Sequence, residues 1–376
     1  LSEGRVAHLL STLYQGRSGK GYLPQLALLA GDIGPVEAAI RLVDQAAGAM
    51  RAFFDDLLRI CERGEDWAKR DLAGRRLREG GAVANILTPA MRELSLRLKA
   101  LKDQAKVDAD KYELNSYAQR AEMIAADAEV LVSQTLPGFV YWVDVGGMDE
   151  GRLLDARGPR ATLACAPVEV SPLLKERLFA GKASVVLTSA TLATRRPEEH
   201  ESTESGETAF AHAMNRLGCV GATALQLGSP FNYARQVDFI VDRGVESPQR
   251  GPARGGYAAQ LAQRVLHHVR ETGGGAFVLF TSFATLNAVA SQLAGTLSEL
   301  GMPMLAQGRD GPRGLILERF RENDRSVLLG AASFWQGVDV RGRGLRNVII
   351  TKLPFEPPDR PLTEARGEAI LARGGD

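Results

Sequence analysis

Between Gly34-Pro35 and Gly64, apolar residues recur at Val36, Ile40, Val43, Ala47, Met50, Phe54, Leu57 and Cys61, in alternating steps of four and three. That spacing predicts one face of a long amphipathic helix, with Pro35 suited to its first turn and Gly64 to its stop. A second helical stretch starts at Thr88-Pro89, runs through Met91, Leu94, Leu98, Leu101 and Ala105, and resumes from Tyr112 to Leu131. Two such helices would pack as an antiparallel bundle, so residues 1 to about 135 read as helical. After Pro137 the period changes to that of a sheet protein. Strands are expected at Phe139 to Val143, Ala161 to Ala166, Ser184 to Thr188, Val237 to Val241, Ala276 to Phe280, Ser326 to Gly330 and Asn347 to Thr351. Helix-length segments such as Tyr257 to Arg270 and Phe283 to Leu300 separate the later ones, and this alternation implies parallel α/β units. The polar stretch Arg195 to Thr208 is expected to be an exposed loop near the boundary of two such domains. No internal repeat is visible.

Composition changes this picture little. With 376 residues, 45% of them hydrophobic, the chain is long enough for two or three domains with buried cores. No run approaches the roughly 20 apolar residues of a membrane helix, and a cytoplasmic protein is expected. The chain opens on Leu1 without a basic or apolar leader, which reads as an internal cut. Cys61, Cys165 and Cys219 lie far apart with no CxxC or Cys/His pairing, so they read as buried thiols, and no metal-ligating set stands out. Forty-six basic against 45 acidic side chains leave a charge of +1, so binding to nucleic acid must be argued from motifs.

Three segments carry candidate chemistry. Val185 to Leu192 reads as a buried strand ending in the small hydroxyl residues Thr188, Ser189 and Thr191. Ligands gather at the carboxyl ends of parallel strands, but such hydroxyls also cap helices. Gly275 to Phe283 repeats the plan, with Thr281 and Ser282 placed either to meet a nucleic-acid phosphate or to cap the next helix. The most specific run is Leu329 to Gly342, with Ser333-Phe334-Trp335-Gln336-Gly337-Val338-Asp339 at its centre, followed by Val348 to Asp359. Gly337 would allow a ligand close to the backbone, and Asp339 offers an acceptor for a ribose hydroxyl or a metal-bound water. Phe334 and Trp335 could stack on bases or belong to the core.

The strings LTSATL, GSPFNY (Gly228 to Tyr233), FVLFTSF, SFWQGVDVRG and IITKLPFEPPDRPL stand in an order and spacing that resembles the XPD/DinG branch of superfamily 2 helicases. The resemblance implies an α/β fold of two RecA-like parallel-sheet domains, the first partial, with a helical arch-like insertion at the N-terminal end. Residues 1–135 would be the insertion. Residues 136–215 would be the end of helicase domain 1 with motif III, and residues 216–376 helicase domain 2 with motifs IV and V, stopping before motif VI. It further implies that Ser189 and Thr191 couple the ATP state to DNA grip, and that Gln336, Gly337 and Asp339 face the nucleotide. Thr281, Ser282, Ser333, Phe334 and Trp335 would lie along the DNA strand. Gln336 stands where many members carry Glu.

A helicase motor also needs a Gly-rich phosphate loop with Lys and Ser/Thr, an acidic magnesium box and arginines from the facing domain. None is complete in this sequence. Gly16-Arg17-Ser18-Gly19-Lys20-Gly21 has the wrong glycine spacing and reads as a turn, and Asp149-Glu150 reads as a loop. The expected function is therefore part of an ATP-dependent DNA helicase that uses ATP and Mg2+. Such a motor moves 5′ to 3′ on single-stranded DNA and at duplex junctions, in repair or replication, as a monomer. This chain alone would be inactive. Any 4Fe-4S cluster, as in many relatives, would be held upstream of Leu1. A non-catalytic DNA-binding scaffold and an RNA helicase remain as rival readings.

Overall fold

The computed structural model describes residues 1–16, 18–29, 32–62, 74–146, 160–181, 183–194, 203–229, 231–245 and 254–375. Asp149-Glu150 and the Gly64 stop lie outside the described residues. The chain divides into two units, Leu1–Ser229 with Glu356–Asp376, and Pro230–Phe355.

The first unit opens with α1 (Glu3–Leu13), α2 (Tyr22–Leu29) and the long α3 (Gly34–Glu62). The four-three pattern is the buried face of α3: Val36, Val43, Met50, Phe54, Leu57 and Cys61 are in the core, with Ile40 and Ala47 packed against it. The second helical stretch is two helices, α4 (Leu87–Gln104) and α5 (Asp108–Ser133), broken where Ala105 turns extended. Asp108 and Asp110 in the first turn of α5 suit the positive end of its dipole. Two buried hydroxyls bind α4 to α5: Thr88 donates to the Ala125 carbonyl at 3.0 Å, and Ser95 to the Ala118 carbonyl at 2.9 Å. The partners run in opposite directions along the two helices, so the pair is antiparallel.

Strands β1 (Arg75–Leu77), β2 (Phe139–Gly146) and β3 (Arg160–Pro167) form an antiparallel sheet in the order β1-β2-β3. Short α6 (Ser171–Leu174) and α7 (Thr203–Leu217) follow in the same unit. Two expectations fail here. Ser184 to Thr188 is not a strand: no described strand pairs with it, and Val186 is 83% exposed. An apolar run makes a strand only where neighbours supply the ladder hydrogen bonds. The loop expected over Arg195 to Thr208 is helical from Thr203, because Ala209, Phe210, Ala213, Met214 and Leu217 continue a helical spacing; 195–202 lie outside the described residues. Of the three thiols Cys61 is buried, whereas Cys165 and Cys219 are half-buried.

The second unit holds α8 (Tyr233–Gln236), α9 (Arg254–Thr272), α10 (Phe283–Glu299) and α11 (Arg313–Glu322) around a parallel sheet. Its strands β4 (Ala276–Leu279), β5 (Met304–Ala306), β6 (Val327–Gly330) and β7 (Asn347–Ile350) lie in the order β5-β6-β4-β7. Alternate residues feed two cores. Ala276, Val278, Val327 and Leu329 pack with α9 and α10, while Phe277, Leu279 and Leu328 pack with Ile316 and Phe320 of α11. Burial on both faces explains why β4 and β6 read as continuous apolar runs. Val237 to Val241, also expected as a strand, is unpaired and exposed, with Phe239 88% exposed. Beyond it, Asp242 accepts from the Gly244 N–H at 2.7 Å and from Arg264 at 2.6 Å. These bonds, with one to His268, hold its carboxyl well below the usual carboxylate range.

The last helix, α12 (Pro361–Ala372), belongs to the first unit. Its Glu364 meets Arg78, just past β1, at 2.7 Å and its Glu368 meets Arg76 of β1 at 2.8 Å, so the end of β1 and α12 face each other through four charges. The two arginines, Arg76 first, draw the Glu368 carboxyl below its ordinary range.

Gly330 ends β6 under the ring of Phe334, and a Cβ built there would stand 2.6 Å from the Phe334 Cβ. Gly330→Ala is expected to destabilise the second unit by about 1–3 kcal/mol through overpacking. Gly295→Ala, in exposed helix with nothing within 4 Å of the added carbon, is expected to stabilise it by about 0.5–1 kcal/mol. Urea unfolding of both variants checks the pair; equal midpoints would show that the Phe334 seat is loose.

Candidate functional site

Parallel strands end at one edge, so the loops after β4, β5, β6 and β7 emerge together in the second unit. The backbone ties them: Phe280 N–H donates to the Gly330 carbonyl at 2.8 Å, Gln307 N–H to the Leu329 carbonyl at 3.0 Å and Thr351 N–H to the Leu279 carbonyl at 3.1 Å. Thr281 and Ser282 after β4 and Ser333 to Asp339 after β6 therefore share this edge. Ser189 and Thr191 belong to the first unit.

After β4 the two hydroxyls divide the roles that the sequence left open. Ser282 is the N-cap of α10: its Oγ accepts from the Thr285 N–H at 3.2 Å and lies 3.0 Å from the Thr285 hydroxyl. Thr281, one residue earlier, is exposed.

The loop after β6 is held by residues that the motif strings did not mark. Gln307, at the end of β5, uses both ends of its amide: Oε1 accepts from the Ala331 N–H at 2.8 Å and Nε2 donates to Ser333 Oγ at 3.0 Å. With that lone pair taken, the exposed Ser333 hydroxyl keeps its proton for an outside acceptor. Arg313 donates to the carbonyls of Gln336 (3.1 Å) and Gly337 (2.8 Å), and its guanidinium lies 5.7 Å from the centre of the Phe334 ring. Arg321 donates to the Asp339 carbonyl at 2.7 Å. Gly337 takes φ +69°, a conformation that glycine adopts without strain.

The two aromatic candidates part company. Phe334 is 2% exposed, its ring among Phe277, Leu279, Phe320 and Leu328, so within this unit it is a core residue and not an open stacking face. Trp335 is half-buried and donates its indole N–H to the Phe280 carbonyl at 3.0 Å, which fixes the ring beside Thr281 while leaving part of it open. The side chains of Gln336 and Asp339 are exposed; Asp339 is 77% accessible and 3.4 Å from Arg341, itself almost fully solvated, a geometry that adds little stability. In the first unit, Ser189 Oγ accepts from the Thr191 N–H at 3.2 Å, and the two hydroxyl oxygens lie 3.2 Å apart in an exposed turn.

Arg309, near Gln307, is also set in place: it donates to Asn287 Oδ1 at 3.1 Å and to Ser291 Oγ at 3.0 Å on α10. Its exposed guanidinium puts a fixed positive charge two residues from Gln307, in the loop after β5. Gln307 and Arg309 sit in Leu305-Ala306-Gln307-Gly308-Arg309, too short an apolar run to announce a strand. Two polar residues flanking a glycine, just after an apolar dipeptide, were the signal available. Chemically the edge offers donors, a ring and positive charge around exposed backbone, which suits phosphate and base contact.

Residues 265–376 match the helicase C-terminal domain family. The chain is 33% identical over 264 residues to the ATP-dependent DNA helicase YoaA of Escherichia coli, covering 70% of this chain and 36% of that protein. It is 36% identical over 217 residues to the ATP-dependent helicase DinG of Mycobacterium tuberculosis, covering 58% and 30%. A third relative, the 3'-5' exonuclease DinG of Bacillus subtilis, is 32% identical over 226 residues, covering 59% and 23%. The chain thus spans between about a quarter and about a third of the length of these relatives.

Removing the cap with Ser282→Ala is expected to cost about 1 kcal/mol of stability, and Thr281→Ala to stay within about 0.5 kcal/mol of wild type. Denaturant midpoints of the two variants provide the check, and a larger loss for Thr281→Ala would reverse the assignment of roles.

Proposed function

Starting from a chain that over part of its length is an XPD/DinG-like superfamily 2 helicase, we propose that it works as part of an ATP-dependent DNA motor. The observation that carries the reading is the shared carboxyl edge of the parallel sheet, where Thr281, Ser333 and Trp335 are held at fixed positions inside the matched domain. In this reading the edge grips single-stranded DNA. Thr281 and the free proton of Ser333 donate to phosphates, Arg309 supplies charge, and the open face of Trp335 supports a base. Ser282 and Phe334 act indirectly, as the cap and the core seat of the two loops.

Gln336, Gly337 and Asp339 are proposed to face the nucleotide, on backbone that Arg313 and Arg321 hold. Ser189 and Thr191, already hydrogen-bonded to each other, are proposed to couple nucleotide state to the DNA grip. ATP and Mg2+ are the cofactors of this reading; ATP supplies the phosphoryl transfer that drives the motion. The three separated cysteines provide no ligand set for an iron-sulfur cluster, so such a group would need residues outside this chain. The division into an arch-like insertion (1–135), the end of helicase domain 1 (136–215) and helicase domain 2 (216–376) belongs to the same reading. So do 5′ to 3′ movement, a monomeric state and a role in repair or replication.

No Gly-Lys-Ser/Thr loop stands in these 376 residues. The chain by itself is therefore expected to hydrolyse ATP at least about 1,000-fold more slowly than a protein that joins it to such a loop and to facing arginines. Phosphate release with and without single-stranded DNA, measured on both proteins, tests the proposal. DNA-stimulated turnover only in the longer protein supports it. A longer protein that binds DNA but shows no stimulation would leave the DNA-binding scaffold as the better reading, and stimulation by RNA alone would favour an RNA motor.

A further inference from the structure

Helix α9 carries a second polar cluster, on His267, His268 and Glu271, that the helicase reading does not use. One ligand atom from each residue lies within 4.8 Å of the others. His267 Nε2 is 3.4 Å from one Glu271 oxygen and His268 Nδ1 is 3.2 Å from the other, so the carboxylate sits between two imidazoles. Tetrahedral ligands about 2.0–2.1 Å from a zinc ion stand about 3.3 Å apart, which matches both distances.

The far side of His268 strengthens the case. Its Nε2 lies 2.8 Å from Asp242 Oδ2, which Arg264 also engages at 2.6 Å. A neutral His268 that donates from Nε2 to Asp242 must turn the bare lone pair of Nδ1 toward the Glu271 carboxylate, an acceptor facing an acceptor. A cation between them removes that repulsion, and the carboxylate-imidazole-metal order is how ligating histidines are commonly oriented. The cluster is also reachable, since His267 and Glu271 are half exposed while His268 is mostly covered.

We propose that His267 Nε2, His268 Nδ1 and Glu271 form a surface site for a borderline transition-metal dication such as Zn2+, oriented by Asp242. Imidazole and carboxylate ligands favour such an ion over Ca2+ or Mg2+. Bound metal would tie the Asp242-Gly244 turn to α9, whose His268 carbonyl also accepts from Asn347 of β7 at 3.0 Å. The site is thus placed to stiffen the edge of the parallel sheet from the side away from Gln307 in the strand order.

The test is titration of the full chain with Zn2+ alone, its thiols alkylated, followed by calorimetry at neutral pH. One equivalent is expected to bind with a dissociation constant on the order of micromolar. His267→Ala and Glu271→Gln should each weaken it at least about tenfold, and Asp242→Asn about 10- to 100-fold. A control, His8→Ala/His212→Ala, should leave it unchanged. His267 and Glu271 are exposed enough that their variants are expected to keep the wild-type circular dichroism. Co2+ in place of Zn2+ should give the visible spectrum of nitrogen and oxygen ligands. Stoichiometric binding that survives His267→Ala, or wild-type binding no stronger than that of a His267→Ala/His268→Ala/Glu271→Gln variant, would overturn the proposal.

Discussion

The parallel pairing of β4 with β6 is the constraint on which the candidate site depends. Ala276 to Leu279 runs beside Val327 to Gly330 in register, and the ladder continues past the strands through Phe280 N–H to the Gly330 carbonyl. Because both strands point the same way and are buried on both faces, their following loops must emerge side by side. This pairing brings Trp335 to the residue before Thr281 across 55 residues of sequence. The Trp335 indole then uses the carbonyl of Phe280 as its anchor, so the same edge that aligns the strands also aims the ring.

Around that edge, the fixed parts are backbone and the exposed parts are side chains. Gln307 takes up an amide N–H and a hydroxyl lone pair of the loop after β6, and Arg313 takes up two of its carbonyls. Phe334 pins the loop from below, in contact with the glycine that ends β6. A loop held in this way loses little conformational entropy when a ligand arrives, which is the physical advantage of building a contact surface in advance. Arg313 serves the loop twice, as a donor above it and as a cation near the Phe334 ring.

Much of this was legible in the sequence, and the part that was not has a common cause. The helical face of α3 could be read directly because 3.6-residue periodicity needs no partner to be visible. Strands β4, β6 and β7 could be read because β-branched and aromatic residues cluster between turn signals. Val185 to Leu187 and Val237 to Val241 carry the same local signal yet remain unpaired, since a strand is completed by a neighbour that local pattern does not specify. The strings around Thr281 and Ser333 fall at the carboxyl edge of the sheet, whereas LTSATL follows no described strand, and none of them could tell a cap from a ligand at Ser282 or a core ring from an open one at Phe334. Those distinctions arise from packing. Gln307, Arg309 and Arg313 went unmarked because they act through contacts 18 to 26 residues away in the chain.

Photocrosslinking of single-stranded DNA containing 4-thiothymidine, to a protein that includes this chain and binds DNA, tests the edge most directly when the adducts are mapped by mass spectrometry. Adducts at Trp335 and on the peptides around Thr281 and Ser333 are the predicted result. Adducts confined to the outer faces of α9 and α11, with none on the loops after β4 and β6, would contradict the assignment of DNA contact to this edge.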